Sequence, residues 1–253
     1  MNILTVISYL GTAYHGSQIQ KNANTVQNEF QKALYSVLGY ETPIKACSRT
    51  DTGVHASCFC ISFTVDPPID PDGLCYALNN ELPGDIRVEG SRVVDDDFHA
   101  RYSAIGKRYV YRVFNGRFVS AQDNGRVYHF PYSVDDNKMT AAAETLVGTH
   151  DFSAFCGKKG IQEDMIRTVK RAEIVRDGKY LNLIFEADGF LYNMVRIMTG
   201  TLLNIGTGKL PVSHIEDALR TGERDRLMFT APAEGLWLDG VIYGFGDANS
   251  FKR

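Results

Sequence analysis

The sequence lacks long apolar runs: nowhere does it approach the roughly 20 consecutive apolar residues that a membrane-spanning helix needs. Its first residues, MNILTVISYLGTAYHG, have neither the basic start nor the longer apolar core of a secretory signal. With 44% hydrophobic and 23% charged residues, the composition is that of an ordinary globular chain. We therefore expect a soluble, cytoplasmic protein with no membrane partner.

Disulfide frameworks, metal-ligand spacings and nucleotide-binding motifs are also missing. The five cysteines include no C-x-x-C pair, and the six histidines show no H-x-x-x-H spacing. A P-loop, a dinucleotide fingerprint and a G-x-S-x-G motif are absent. We expect reduced thiols, no metal and no small-molecule cofactor. Asp95, Asp96 and Asp97 could bind a divalent cation, but an acidic turn is the favoured interpretation.

The net charge of -3 gives no overall indication of nucleic-acid binding. A basic stripe on one face is nevertheless compatible with an acidic whole. Candidate phosphate-binding residues are Lys107, Arg108, Arg112, Lys158, Lys159, Arg167 and Arg171. For any one of them, ordinary surface charge is the simpler interpretation.

Apolar periodicity and turn residues predict a mixed α/β fold. Thr25 and Gly39 bound a predicted amphipathic helix, and Asp177-Gly178 is the turn of a predicted hairpin. Ser213 and Glu216 suggest a capping box for a late helix. The predicted strands cover 3–9, 57–65, 108–114 and 240–246, and the other predicted helices cover 74–83, 135–147 and 193–206. The elements fall into two successive sets, which we interpret as domains 1–103 and 104–253.

Arg196 is the most informative single residue, because apolar residues surround it on a predicted buried helix. A buried guanidinium needs a carboxylate or a dense set of acceptors. Asp51, in the run RTDTGVHA, is a candidate partner, and the residues after it could hold it on a tight turn. Such a pair would keep the carboxylate ionised, which suits a nucleophile or a base. Alternatively, Arg196 reaches the surface along its stem and Asp51 only caps a turn.

The run RTDTGVHA resembles the RTDxGVHA signature of the tRNA pseudouridine synthase A (TruA) family. The resemblance continues in order through ALNNELPGDIRV, FHARYSAIGKRYVYRVFN, LVGTHDFSAF, GFLYNMVRIMTGTLLNIGTGKL and APAEGLWLDGVIY. It therefore covers nearly the whole length. It implies the pseudouridine synthase fold, with two α/β domains whose mainly antiparallel sheets join around a central cleft.

The resemblance also implies an isomerase that converts uridine to pseudouridine in the anticodon stem-loop of tRNA, at positions 38, 39 and 40. It implies a homodimer and no cofactor. Asp51 matches the catalytic aspartate, Arg196 its arginine partner and Tyr109 the active-site tyrosine. Arg49 matches a residue that helps to extrude the nucleotide.

The roles of several neighbouring residues remain open. Lys107 and Arg108 are expected to bind substrate phosphates. His55 adjoins the catalytic loop and either contacts substrate or makes a structural hydrogen bond. Judged by its place on the strand alone, Tyr111 is as good a candidate as Tyr109 for the base-facing aromatic.

The chain departs from the family pattern at four positions near the predicted site. Leu10 and Ser17 replace the usual aspartate and tryptophan, and Ser48 and Thr52 replace the usual glycine and alanine. A paralogue acting on another uridine is therefore possible. A non-catalytic RNA-binding protein on the same scaffold and a nucleoside glycosidase, which also uses a carboxylate near C1′, are separate alternatives.

Overall fold

The computed structural model describes residues 1–252. Its strands are β1 (Asn2–Tyr9), β2 (Lys45–Ala46), β3 (His55–Thr64), β4 (Ile86–Val94), β5 (Ala104–Phe114), β6 (Tyr128–His129), β7 (Gly148–Asp151), β8 (Ile166–Asp177), β9 (Tyr180–Ala187), β10 (Leu236–Tyr243) and β11 (Gly246–Asp247). Its α-helices are α1 (Val26–Leu38), α2 (Pro71–Glu81), α3 (Asp136–Glu144), α4 (Met194–Gly206) and α5 (His214–Thr221).

The chain divides into two compact units. The first contains residues 1–107 together with 237–252, and the second contains residues 108–236. These units differ from the predicted domains at the carboxyl end, because β10 pairs with β3 of the first unit. The division into domains 1–103 and 104–253 stays a prediction.

The sheet of the first unit has the strand order β4–β1–β3–β10. The pairs that β1 forms with β3 and β4 are antiparallel, whereas β10 runs parallel to β3 and places Trp237 opposite His55. Both strands β1 and β3 are buried along almost their whole length. The start of β3 is therefore fixed between two neighbours, and the loop that precedes it leaves from a rigid edge.

Helix α1 begins and ends where its sequence predicts. The side chain of Thr25 accepts a hydrogen bond from the amide of Asn28, and Gly39 adopts the left-handed conformation at φ 80°. Helix α2 begins three residues earlier than predicted, because Asp70 caps it and Pro71 occupies its first turn.

The sheet of the second unit has the order β5–β9–β8–β7. Strands β8 and β9 form the predicted antiparallel hairpin, with Asp177 opposite Tyr180 and Gly178 at φ 56°. Helix α4 is buried at twelve of its thirteen residues, the exception being Arg196. The mixed α/β class with mainly antiparallel sheets is confirmed.

Two predicted features of the helices are wrong. Ser213 does not form a capping box, because its backbone is already helical (φ -68°, ψ -9°) and its side chain makes no cap hydrogen bond. An N-cap residue needs an extended backbone to direct its side-chain oxygen at the free amides. Helix α3 ends at Glu144, three residues before the predicted end, and a turn leads to Gly148.

Candidate active site

Asp51 lies at the first position of a tight turn immediately before β3. The amide of Val54 donates to the carbonyl of Asp51 at 3.1 Å, and Gly53, the third residue of the turn, has φ 79°. Glycine is favoured at that position because a Cβ atom strains a positive φ. The expected tight turn is confirmed, and it holds a half-buried Asp51 side chain.

The residue before Asp51 is held by the segment that follows β1. The Thr50 amide donates to Ser17 Oγ at 2.9 Å, and the Ser17 amide donates to the Thr50 carbonyl at 3.1 Å. The Thr50 hydroxyl also pairs with the Tyr9 hydroxyl at 2.8 Å. All three residues are buried. A buried polar group is costly to leave without a hydrogen bond. This hydrogen-bond network therefore fixes the backbone that carries Asp51.

The far side of the turn is held in the same way. The Gly53 amide donates to the Tyr14 carbonyl at 3.4 Å, and the Gly11 amide donates to His55 Nδ1 at 3.0 Å. Gly11 packs so closely that a Cβ atom there would lie 2.0 Å from the carbonyl oxygen of Val54. The segment 9–17 therefore contacts the turn on both sides. We define the catalytic loop as residues 47–54.

His55 is fully buried, and its ring stacks on Trp237 at 4.4 Å between centroids. Its Nδ1 accepts a hydrogen bond, so the proton of the neutral ring lies on Nε2. A ring with no exposed surface offers nothing to an RNA. The burial favours the structural interpretation of His55 over direct contact with substrate.

The first unit also carries two of the predicted substrate-binding cations. Arg49 is exposed on the catalytic loop, two residues before Asp51. Lys107 is half-buried, and burial lowers the pKa of its ammonium group, partly opposed by nearby Cys47. Both residues are in the same compact unit as Asp51.

Arg196 lies in the first turn of α4, in the second unit. Its Nε donates to the carbonyl of Ala231 at 2.7 Å, and its Nη1 donates to Asn193 Oδ1 at 2.9 Å. These bonds use two of the five guanidinium donors and fix the plane of the group. The side chain is half-buried, so Arg196 is a positioned cation rather than a freely rotating surface residue.

Tyr109 and Tyr111 share one face of β5, as predicted, but their hydroxyl groups differ. Tyr111 is fully buried and its hydroxyl donates to the carbonyl of Pro232 at 2.7 Å, while burial raises the pKa of its phenol. Tyr109 is 7% exposed, and its ring packs edge-on against Phe190 at 5.2 Å. The geometry therefore favours a structural role for Tyr111 and leaves Tyr109 as the aromatic candidate.

The arginines proposed for phosphate contact in the second unit have acidic neighbours. The ion-pair distances are 3.9 Å for Arg108 with Glu186, 3.6 Å for Arg167 with Asp164 and 2.6 Å for Arg171 with Glu173. Partly exposed pairs of this kind contribute little to stability, so a phosphate could compete for the cation. Their contacts with RNA stay predictions.

The predicted site residues thus fall into two groups, one in each compact unit. Asp51 belongs to the first compact unit, and Tyr109 and Arg196 belong to the second. The predicted Asp51–Arg196 ion pair stays a prediction. The supporting roles of Ser17, Tyr9 and Tyr14 were not predicted, because nothing local in the sequence indicates contacts between segments some 33 residues apart.

Among residues 1–252, no group of three or more His, Cys, Asp or Glu residues is placed to hold a metal ion. Asp95 lies in a turn that is closed by a hydrogen bond from the Phe98 amide to the Asp95 carbonyl. The Asn2 side chain donates to the carbonyls of Asp95 and Phe98. No helix in the described part of the chain has the length and apolar character to cross a membrane.

Comparison with known proteins identifies the class to which this fold and loop belong. A family model described as tRNA pseudouridine synthase matches residues 5–103 and 142–244. A tRNA pseudouridine synthase A from Thermoanaerobacter sp. (strain X514) is 44% identical over 242 residues, which cover 96% of this chain and 99% of that protein. One from Staphylococcus carnosus (strain TM300) is 40% identical over 241 residues, covering 95% and 90%.

The chain belongs to the tRNA pseudouridine synthase family. It is an isomerase of the pseudouridine synthase class. A solved structure titled "Crystal Structure of a Cbf5-Nop10-Gar1 Complex" aligns with a TM-score of 0.37 and 11% identity over 79% of this chain and 45% of that one. This similarity is too distant to support a conclusion about the present chain.

Proposed function

We propose that this isomerase converts uridine to pseudouridine in the anticodon stem-loop of tRNA, at positions 38, 39 and 40, with Asp51 as the catalytic residue. The observation that carries the proposal is the catalytic loop, where buried hydrogen bonds on both sides hold one carboxylate on a turn. The protein is expected to act in the cytoplasm as a homodimer.

The reaction breaks the N1–C1′ bond, turns the base, forms a C5–C1′ bond, and moves a proton from C5 to N1 overall. Atoms and electrons balance within the substrate, so no oxidant or reductant is needed. An ionised Asp51 could attack the sugar directly or remove the 2′ proton to give a glycal. Both routes need the carboxylate and not the acid.

Arg196 is the proposed partner that orients Asp51. A forked pair between a guanidinium and a carboxylate fixes the positions of both carboxylate oxygens. Arg196 suits this role because Ala231 and Asn193 already fix its plane.

Tyr109 is the proposed support for the everted base. A uridine in a stem must leave the helix at a cost of a few kcal/mol, and an aromatic face in the pocket recovers part of that cost. Phe190 holds the Tyr109 ring edge-on, so the ring orientation is set before RNA arrives. The Tyr109 hydroxyl is then a candidate acceptor for the C5 proton.

Product analysis of a defined tRNA transcript tests the proposed function. The transcript is incubated with the protein, and each pseudouridine is located by carbodiimide modification followed by primer extension. Released uracil is measured separately by chromatography, and binding by filter retention. We expect pseudouridine confined to positions 38 to 40. Pseudouridine at other positions would indicate a paralogue with another target. Free uracil would indicate a glycosidase. RNA that binds but stays unchanged would indicate a non-catalytic binding protein.

Replacement of Arg196 tests the ion pair. Arg196→Met should lower the rate of pseudouridine formation at least tenfold, because the carboxylate loses its cation. Arg196→Lys keeps the charge but loses the forked donor geometry of the guanidinium. Its rate should lie between those of Arg196→Met and wild type. A fully active Arg196→Met would remove the ion pair from the mechanism.

A further inference from the structure

Cys47 and Cys60 lie opposite each other where the catalytic loop leaves the sheet of the first unit. The pairing of β2 with β3 places Ala46 opposite Ile61, so the next pair of residues is Cys47 with Cys60. The Cys47 amide donates to the Cys60 carbonyl at 2.8 Å, and the Cys60 amide donates to Cys47 Sγ at 3.2 Å. Their side chains therefore lie on the same face of the sheet.

The positions of these two thiols suit a disulfide bond. Directly opposite residues of antiparallel strands have Cα atoms about 4.5–5.5 Å apart, and disulfides span about 4.4–6.8 Å. The Cys60 thiol hydrogen-bonds the thiols of both Cys47 and Cys58. Cys58 is two residues away on the same strand, which separates the Cα atoms by about 6.4–6.8 Å, the upper limit for a disulfide. Cys47 is therefore the better partner for Cys60.

The two thiols differ in acidity, which sets the order in which they react. Burial alone raises the pKa of a thiol, but the Cys60 hydrogen bond and the Lys107 ammonium group lower the pKa of Cys47. Burial and the neighbouring thiols raise the pKa of Cys60. The thiolate is the form that attacks an oxidant. Cys47 is thus suited to react first, and Cys60 to react with the oxidised Cys47.

Both cysteines are fully buried and reduced in the structure. An oxidant therefore reaches them only when the catalytic loop opens briefly. Cys75 on α2 is half-buried and serves as an internal measure of exposure to the oxidant. In a reducing compartment a disulfide of this kind is transient, which is typical of redox-sensing pairs.

We propose that Cys47 and Cys60 are a reversible oxidation site, at which a hydroperoxide forms a disulfide across the base of the catalytic loop. The Cys47 thiolate attacks one peroxide oxygen, the O–O bond breaks, and the released hydroxide takes up a proton. The Cys60 sulfur then attacks the sulfenic acid on Cys47 and the S–O bond breaks. Water leaves with the Cys60 proton. The two thiols lose two electrons in total, and the peroxide gains them.

The disulfide should also slow the enzyme, an effect that rests on the proposed function of the loop. The bond brings the sulfurs to about 2.05 Å, and Cys60 cannot move far because β3 is buried and paired with β1. The displacement therefore falls on Cys47. Ser17 holds Thr50, so the residues between Cys47 and Thr50 must adjust. One of them is Arg49, which is predicted to help extrude the nucleotide.

Peptide mapping tests the oxidation site. Reduced protein is treated with a small excess of hydrogen peroxide, alkylated and digested with trypsin without reductant. Trypsin places Cys47 in the peptide 46–49 and the other cysteines of the first unit in the peptide 50–87. We expect these two peptides to be joined, with a mass two hydrogens below their sum, and dithiothreitol to separate them.

Three variants assign the partner of Cys47. Cys60→Ala should lose the linked peptides, whereas Cys58→Ala and Cys75→Ala should keep them. Cys58→Ala is the matched control, because it removes a buried sulfur from the same face of β3 but leaves the proposed pair intact. Unchanged melting temperatures establish that each variant is folded.

Single-turnover pseudouridine formation tests the effect on the loop. Peroxide should lower the wild-type rate about threefold to thirtyfold, because small displacements of substrate-positioning groups are costly, and dithiothreitol should restore it. Cys60→Ala should have the wild-type rate before treatment and keep it afterwards. Cys58→Ala should stay as sensitive to peroxide as wild type.

The results that would overturn the inference are specific. If the peptides stay separate at a peroxide dose that oxidises Cys75, or stay joined in Cys60→Ala, the pair is refuted. A linked protein with an unchanged rate would refute the effect on the loop, and a rate loss that dithiothreitol does not reverse would contradict a disulfide. Peptide mapping does not depend on tRNA. If untreated wild type forms no pseudouridine at positions 38 to 40, the proposed function fails while the oxidation site is still decided.

Discussion

Ser17→Ala should weaken the catalytic loop without touching the substrate. The substitution removes the oxygen that accepts from the Thr50 amide at 2.9 Å, while the reverse bond from the Ser17 amide to the Thr50 carbonyl remains. Ser17 is 2% exposed, so water does not replace the lost acceptor readily. A buried unsatisfied amide costs about 1–3 kcal/mol. For a chain of this size, that corresponds to a fall in melting temperature of about 2–12 °C.

The same substitution should slow catalysis more than it weakens binding. A displacement of about 1 Å in a reacting group can cost up to about a hundredfold in rate. We expect the single-turnover rate of pseudouridine formation to fall about tenfold, with the tRNA dissociation constant within about twofold of wild type. Ser36→Ala is the control, because its hydroxyl bonds Glu81 in solvent and should contribute under about 0.5 kcal/mol. An unchanged melting temperature and rate for Ser17→Ala would refute the supporting role.

Three further predictions concern close packing and the two tyrosines. Gly11→Ala should destabilise the protein by more than about 2 kcal/mol in thermal unfolding, because its Cβ would lie 2.0 Å from the Val54 oxygen. Gly39→Ala, which has open space but φ 80°, should cost only about 1 kcal/mol, and equal losses would contradict the packing argument. Tyr111→Phe should lower stability by about 1 kcal/mol and leave tRNA binding intact; an unchanged free energy of unfolding would contradict this. Tyr109→Phe should bind tRNA normally but form pseudouridine slowly, and a wild-type rate would remove its phenol from the chemistry.

The sequence predicts the elements whose signals are local. Thr25 and Gly39 bound α1 because a side-chain cap and a left-handed glycine act within one turn of the helix. Strand β4 was not predicted, although Ile86, Val88 and Gly90 are its buried positions and alternate with polar residues. The glycine and the two arginines of β4 obscured its alternation of buried and polar positions.

The candidate site is predictable only in part. The turn after Asp51 follows from Gly53, whose positive φ is a local requirement. The residues that hold the loop were missed, because Ser17 contacts Thr50 across 33 positions and a lone serine carries no signal of such a contact. The difference between Tyr109 and Tyr111 also depends on a distant residue, the carbonyl of Pro232.

The central claim is that Asp51 performs the chemistry, and Asp51→Asn tests it most directly. The measurement is the single-turnover release of tritium from tRNA labelled at C5 of uridine, at saturating enzyme, beside the dissociation constant of the same complex. Asparagine has nearly the shape of aspartate but is a poor nucleophile and a poor base. We predict a rate at least about a thousandfold below wild type, with binding changed less than about threefold. A variant that retains a tenth or more of the wild-type rate would contradict the account.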